Sequence, residues 1–256
     1  MVAIGAAVGS LIGLTGIGSG SLLTPLLLLL GHLSPATAVG TSLVFSFVTK
    51  IYGSWNFYQR HFVRMDIVGD LCLGGLPGVL GGTLFLRYLD VHRPQLLDVF
   101  LSHAIGAVLV VISAIMVARL LPLRALRASL DRSLSLANGH RRILIVLIGM
   151  GVGLSVGVTS IGSGAALIPA MVLFYRLDSG TLVGTNIFVG AILSGVATVP
   201  HLWLGHIDAR AVVGLLCGSV PALWLSSKVH GGLPRAVTEI IVAAAILLMG
   251  LHIMAV

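Results

Sequence analysis

Two stretches of this chain can hold a ligand through backbone and hydroxyl groups. Residues 13–25 read Gly-Leu-Thr-Gly-Ile-Gly-Ser-Gly-Ser-Leu-Leu-Thr-Pro, and residues 157–169 read Gly-Val-Thr-Ser-Ile-Gly-Ser-Gly-Ala-Ala-Leu-Ile-Pro. Glycine permits the backbone angles of a helix break. A break leaves successive N–H groups bare, and helix N-termini and nests of N–H groups bind anions. Thr15, Gly16, Gly18, Ser19 and Gly20 supply this combination in the first stretch. Thr159, Ser160, Gly162, Ser163 and Gly164 supply it in the second, with hydroxyls as further donors. Pro25 and Pro169 lack an N–H and kink or fix the entry of the helix that follows. The chemistry expected of two such breaks facing each other is recognition of a small oxyanion. Close packing of helices through small residues is the plainer reading of one such stretch; two copies favour a substrate site.

Further candidates stand nearby. Thr41 and Ser42 follow Val39-Gly40, and Thr185 and Asn186 follow Val183-Gly184. Their side chains complete the site, or cap and cross-link helices instead. Lys50 lies well inside an apolar run, where a cation is costly and usually functional. Its counterpart in the other copy is Ser194, so it either neutralises substrate charge or snorkels to the interface. Asp70 is a candidate partner for Lys50 or a proton-coupling group, or else an interfacial residue like Asp66. His201 is the second coupling candidate, because histidine is the side chain whose ordinary pKa lies nearest neutrality, against a structural role at a span end. Trp55, Tyr58 and Trp203 fit an interfacial aromatic belt. No H-E-x-x-H pattern, Walker A pattern or paired intramembrane acid is present, so neither an enzyme nor an ATPase is expected, and no cofactor or metal.

The elements that carry these residues must lie in a membrane. Of 256 residues 57% are hydrophobic and only 9% charged, with a mean hydropathy of +1.10. A soluble fold of this size could not bury so much apolar surface. The net charge of +7 reads as topology and contact with anionic lipid, not nucleic acid, because no basic patch carries interleaved aromatics. The two Gly/Ser stretches recur at an offset of 144 residues, which also aligns Val39-Gly40-Thr41 with Val183-Gly184-Thr185 and Pro77 with Pro221. A shift of one further residue aligns Val68-Gly69 with Val213-Gly214 and Cys72 with Cys217, both cysteines expected to pack as small apolar residues. Residues 2–14 resemble a signal-peptide core without its charged start, and their counterpart lies mid-chain.

The expected fold is therefore an all-α polytopic membrane protein of two four-segment repeats. The segments span roughly 2–31, 36–58, 67–86 and 96–121, then 143–175, 180–203, 209–227 and 236–256. The first repeat covers 1–121 and the second 143–256. Between them 122–142 is an Arg-rich linker, expected to be cytoplasmic. Each first segment runs to about 30 residues, where a span needs about 20, and its break falls near the middle. It is either one broken, tilted span or a re-entrant hairpin of two half-helices. If all eight segments cross, nine Lys/Arg fall in cytoplasmic connections and five outside; if the first segments re-enter, the division is eleven to three and the repeats are inverted. The positive-inside rule prefers the second arrangement.

In its paired breaks the chain resembles the sulfite exporter TauE/SafE family of membrane transporters, whose pattern is G-x-x-x-G-x-G-G-G-x-x-x-x-P in each half. That pattern stands here as Gly13, Gly16, Gly18, Ser19, Gly20 and Pro25, and as Gly157, Ser160, Gly162, Ser163, Gly164 and Pro169, with Ser in place of the middle glycine of each triplet. The resemblance covers nearly the whole chain. It implies a secondary transporter, expected to export sulfite, a sulfonate such as sulfoacetate or a related small anion, by alternating access in a bacterial inner membrane. The alternatives are a non-transporting scaffold subunit and an anion channel, and a homo-oligomer is left open.

Overall fold

The computed structural model describes residues 1–15, 20–120, 138–164, 166–175, 177–228 and 235–255. Every regular element among them is an α-helix: α1 (Val2–Thr15), α2 (Gly20–Leu29), α3 (Pro35–Gln59), α4 (Met65–His92), α5 (Pro94–Leu120), α6 (Asn138–Thr159), α7 (Leu167–Phe174), α8 (Ser179–Trp203), α9 (Ala209–Lys228) and α10 (Arg235–Ala255). Helices satisfy their own backbone groups, which a hydrocarbon medium demands. Among the described residues four stretches are long and apolar enough to cross a membrane: Met65–His92, Pro94–Ala118, Arg142–Thr159 and Ser179–Trp203. Local chemistry sets the starts of the helices at either side of the site. Ser34 Oγ accepts from Thr37 N ahead of Pro35 in α3, and the Asp178 carboxylate accepts from Thr181 N at 2.9 Å in α8.

Four helix pairs form the body: α4 with α6, α1 with α9, α3 with α8 and α5 with α10. The first two pairs run parallel, backbone against backbone. Gly74 and Gly78 of α4 lie on Val146 and Met150 of α6, while Gly149, Gly153 and Gly157 face back onto Leu71, Gly75 and Val79. In the other pair Gly5 lies on Leu215, Gly9 on Ser219, and Gly218 on Val2 and Ala6. These are the same contacts moved by 144 residues: Gly149 on Leu71, Gly153 on Gly75, and Gly74 on Val146 and Met150. The one-residue shift that paired the cysteines is not the packing register. Cys217 answers to Leu73, which is exposed as Cys217 is, whereas Cys72 is buried.

The other two pairs are antiparallel. Along α3 and α8, Phe47 meets Gly195, Lys50 meets Gly190, Gly53 meets Ile187 and Phe57 meets Gly184. Along α5 and α10, Gly106 lies on Met254 and Ser113 Oγ donates to Ala243 O at 2.8 Å. The connections confirm the directions. Phe62, after α3, packs on Gly180 at the start of α8, and Gly40, at the start of α3, packs on His206 after α8. A chain crossing with all eight segments would put the connections around Phe62 and Asp178 at opposite ends; here they share one.

The first segment of each copy folds back on itself. Phe174 and Tyr175, at the end of α7, lie with Ile145 and Ile148 near the beginning of α6. In the first copy Leu23 and Leu27 of α2 cluster with Val8 and Ile4 of α1. Both α1–α2 and α6–α7 thus fold back as hairpins, α6 being the one long helix among the four, and α3 and α8 start where those hairpins end.

Candidate functional site

From Ser42 to Ser54 every fourth residue of α3 is polar and buried: Ser42, Ser46, Lys50 and Ser54. That spacing places them on one face. At the 144-residue offset α8 carries Asn186, Gly190, Ser194 and Thr198, again on one face and all buried. Antiparallel packing brings the two stripes together against the break between α6 and α7. Sequence reasoning missed Ser46, Ser54 and Thr198 as members, although the repeat of four was there to be counted.

The second break is held in a defined shape. Ser160 has φ +61° and Gly162 φ +119°, both in the left-handed region. For Ser160 that conformation costs about 1–3 kcal/mol, which the surroundings must offset. Ser155 Oγ donates to Ile161 O at 2.9 Å. Thr159 Oγ1 donates to Ser155 O at 2.8 Å and accepts from Ile161 N at 3.2 Å. Thr159 therefore braces the break.

Around this break two polar groups assemble. In the first, Thr24 Oγ1 of α2 lies 2.8 Å from Ser42 Oγ and 2.7 Å from Ser160 Oγ, and the two serine hydroxyls also bond each other. Thr24 is a member that the sequence hid, because its counterpart in the other copy is Ile168. Gly20, the first residue of α2, abuts the Ser160 carbonyl so closely that a Cβ would overlap it. In the second group, Lys50 Nζ donates to Ser163 Oγ at 2.6 Å. Lys50 is only 8% exposed and belongs to none of the ion pairs among the described residues, which are Arg64–Asp66, Arg142–Asp70 and His206–Asp90. Gly190 makes room for it: a Cβ there would meet both Lys50 Nζ and the Ser163 carbonyl at 3.1 Å. No side chain caps the start of α7 beside this break. An ammonium, a ring of hydroxyls and the starts of two short helices thus lie around this break in the interior, and groups of these kinds suit an oxyanion.

The other expected residues fall elsewhere or outside. Gly16, Gly18 and Ser19 lie outside the described residues; Thr15 ends α1, and Gly164 is buried in the second break. Thr41 and Thr185 do not join Lys50. Thr41 Oγ1 accepts from Asp208 N and Thr185 Oγ1 accepts from Arg64 N, each at 3.1 Å, so each anchors the start of a helix in the other copy. Asn186 is buried, and its Oδ1 has no partner among the described residues. Asp70 is not the partner of Lys50: it bonds Arg142 Nε at 2.8 Å, near the start of α6. His201 is buried at the far end of α8, eleven residues past Gly190.

Comparison with known proteins places this geometry in context. The model of the family described as sulfite exporter TauE/SafE matches residues 1–253. Three Bacillus subtilis (strain 168) proteins are similar over most of their length. "Probable membrane transporter protein YjnA" is 33% identical over 254 residues, covering 99% of this chain and 98% of that protein. "Probable membrane transporter protein YdhB" is 26% identical over 231 residues, 90% and 89% of the two chains. "Probable membrane transporter protein YunE" is 22% identical over 248 residues, 92% and 88% of the two. No solved structure matches the chain.

Proposed function

The chain belongs to the sulfite exporter TauE/SafE family of membrane transporters, and from that premise we propose that it carries a small oxyanion, sulfite or a sulfonate such as sulfoacetate, outward across a bacterial inner membrane. The observation that carries this reading is the buried Lys50 ammonium on Ser163 Oγ at the second break. A cation without a carboxylate partner in the membrane interior is costly unless an anion visits it. The hydroxyls of Thr24, Ser42 and Ser160 would supply donors for the remaining oxygens of the anion.

Alternating access follows from the pairing of the helices. Corresponding helices α3 and α8 run antiparallel, so the two copies are read as inverted repeats that rock about a fixed central site. The end of α5 and the start of α6 are read as lying on one face, and this arrangement assigns eleven of the Lys/Arg to that side and three to the other. The basic face is read as cytoplasmic.

The test is flux into proteoliposomes of labelled sulfite, thiosulfate, sulfoacetate and a carboxylate control. Wild type is expected to give saturable flux that internal substrate stimulates, as a carrier does and a pore does not. Lys50→Met and Ser163→Ala are expected to reduce kcat/KM by roughly 10- to 100-fold, the worth of a lost charge-assisted hydrogen bond. Folded wild type that moves no anion, or a Lys50→Met variant with unchanged flux, overturns the assignment.

A further inference from the structure

Three hydroxyls meet where a helix ends. Thr24 Oγ1, Ser42 Oγ and Ser160 Oγ come from α2, α3 and the second break, and no two of these oxygens lie more than 2.8 Å apart. All three residues are buried. A hydroxyl has one proton to donate and two lone pairs. Three mutual contacts need three protons, which is all that the group holds. Val39 O, 3.0 Å from Ser42 Oγ, competes for one of them. Closed on itself, the ring therefore has no proton left for an anion and offers only lone pairs.

The position of the ring has the same sign. Helix α6 ends at Thr159, so the negative, carbonyl end of its dipole lies at Ser160. The last carbonyls of a helix have no partner within it. Among the described residues those of Val158 and Thr159 accept no backbone N–H from outside it either. The Ser160 carbonyl lies against Gly20, where the missing Cβ leaves it room. Lys50 and Ser163 stand on the other side of the same break, toward the start of α7, where the dipole is positive. One break thus has an end suited to an anion and an end suited to a cation, three residues apart at Ser163 and Ser160.

We infer that the Thr24, Ser42 and Ser160 hydroxyls bind an alkali metal cation, and that this cation arms the neighbouring anion site. The second half presupposes the transport reading above. Unwound backbone and helix C-terminal ends hold such ions in carriers built from repeats. A cation that draws on one lone pair of each hydroxyl turns the three protons away from itself. They are then free to donate to an oxyanion held by Lys50 and Ser163, so cation and anion bind better together than apart. Only rotation about three C–O bonds is needed. The ligands are neutral, and the described residues hold no group of three His, Cys, Asp or Glu side chains able to bind a metal ion. That favours a singly charged ion over calcium or magnesium, which draw on carboxylates. Together with Lys50, one such ion balances a doubly charged oxyanion such as sulfite.

The test is exchange of labelled sulfite in proteoliposomes at equal pH and ionic strength, with sodium, potassium or choline as the salt cation on both sides. Exchange in sodium or in potassium is expected to exceed that in choline by about tenfold or more, and the two alkali salts identify the ion. Thr24→Val keeps the shape and removes one ligand, so the cation concentration for half-maximal exchange is expected to rise about tenfold. Apart from flux, the preferred salt is expected to raise the wild-type unfolding midpoint in detergent by about 2–4 °C over choline. Equal exchange in all three salts overturns the cation site and leaves the transport reading standing. An unchanged half-maximal concentration in folded Thr24→Val overturns it too. If Thr24→Val does not fold, the wild-type salt comparison decides. If no salt supports exchange, the transport reading falls and the midpoint decides the cation site alone: a rise with sodium or potassium upholds it, and no rise overturns it.

Discussion

Lys50 is placed by one hydroxyl and by one missing side chain. Ser163 Oγ accepts its hydrogen bond, and the bare Cα of Gly190 leaves the space that its ammonium fills. Both neighbours come from the other copy, more than a hundred residues away, and so are invisible beside Lys50 in the sequence. The cap at Asp178 is different, because its chemistry is local. Its carboxyl is held below the ordinary carboxylate range by hydrogen bonds from the Thr181 backbone and side chain. A depressed carboxylate contributes stability above the unfolded value, about pH 4, and loses it as pH falls through the lower folded value. Asp178→Asn keeps an acceptor at the cap but removes the titration. Its melting midpoint in detergent is therefore expected to fall less than that of wild type on acidification below about pH 4. Parallel acid profiles for the two proteins would show that the cap is not felt.

At the scale of the element, the parallel α4–α6 and α1–α9 pairs depend on small residues at the contact. Gly153 sits against the backbone of Gly75 with no room for a Cβ, whereas Gly151, two residues earlier on the same helix, faces open space. Gly153→Leu forces the helices apart, at a cost of about 1–3 kcal/mol or more. Gly151→Leu is expected to be tolerated. The check is the detergent unfolding midpoint: lowered for Gly153→Leu and near wild type for Gly151→Leu. Equal midpoints would mean that close approach contributes nothing. The glycine-rich composition of these helices was legible in the sequence. Which glycine meets which neighbour was not, because the pairs join helices from different halves of the chain.

At the scale of the whole molecule, the direction of the helices decides the topology. Phe62 rests on Gly180 and Gly40 rests on His206, so residues 61 and 178 belong to one face and residues 32 and 205 to the other. Single cysteines at these four positions, in a background lacking Cys72 and Cys217, are expected to react with an impermeant maleimide in two matched pairs, 61 with 178 and 32 with 205. Labelling that separates 61 from 178 would restore eight crossings and break the alternating-access reading.

The membrane class of this protein, its helices and its paired breaks are written in composition and in a repeat of 144 residues. They are legible because hydropathy and glycine act locally, within a turn or two of the chain. Lys50 stood out for the same reason, as a charge in an apolar run. The return of α2 and α7 was narrowed by charge counting and decided by contacts. Only the tertiary structure showed that Thr24 joins Ser42 and Ser160, that Thr41 and Thr185 anchor helix starts instead of lining the site, and that Asp70 belongs to Arg142. Each of these depends on which residues distant in the chain come within 3–4 Å, and antiparallel and parallel pairing of the same helices gives different answers.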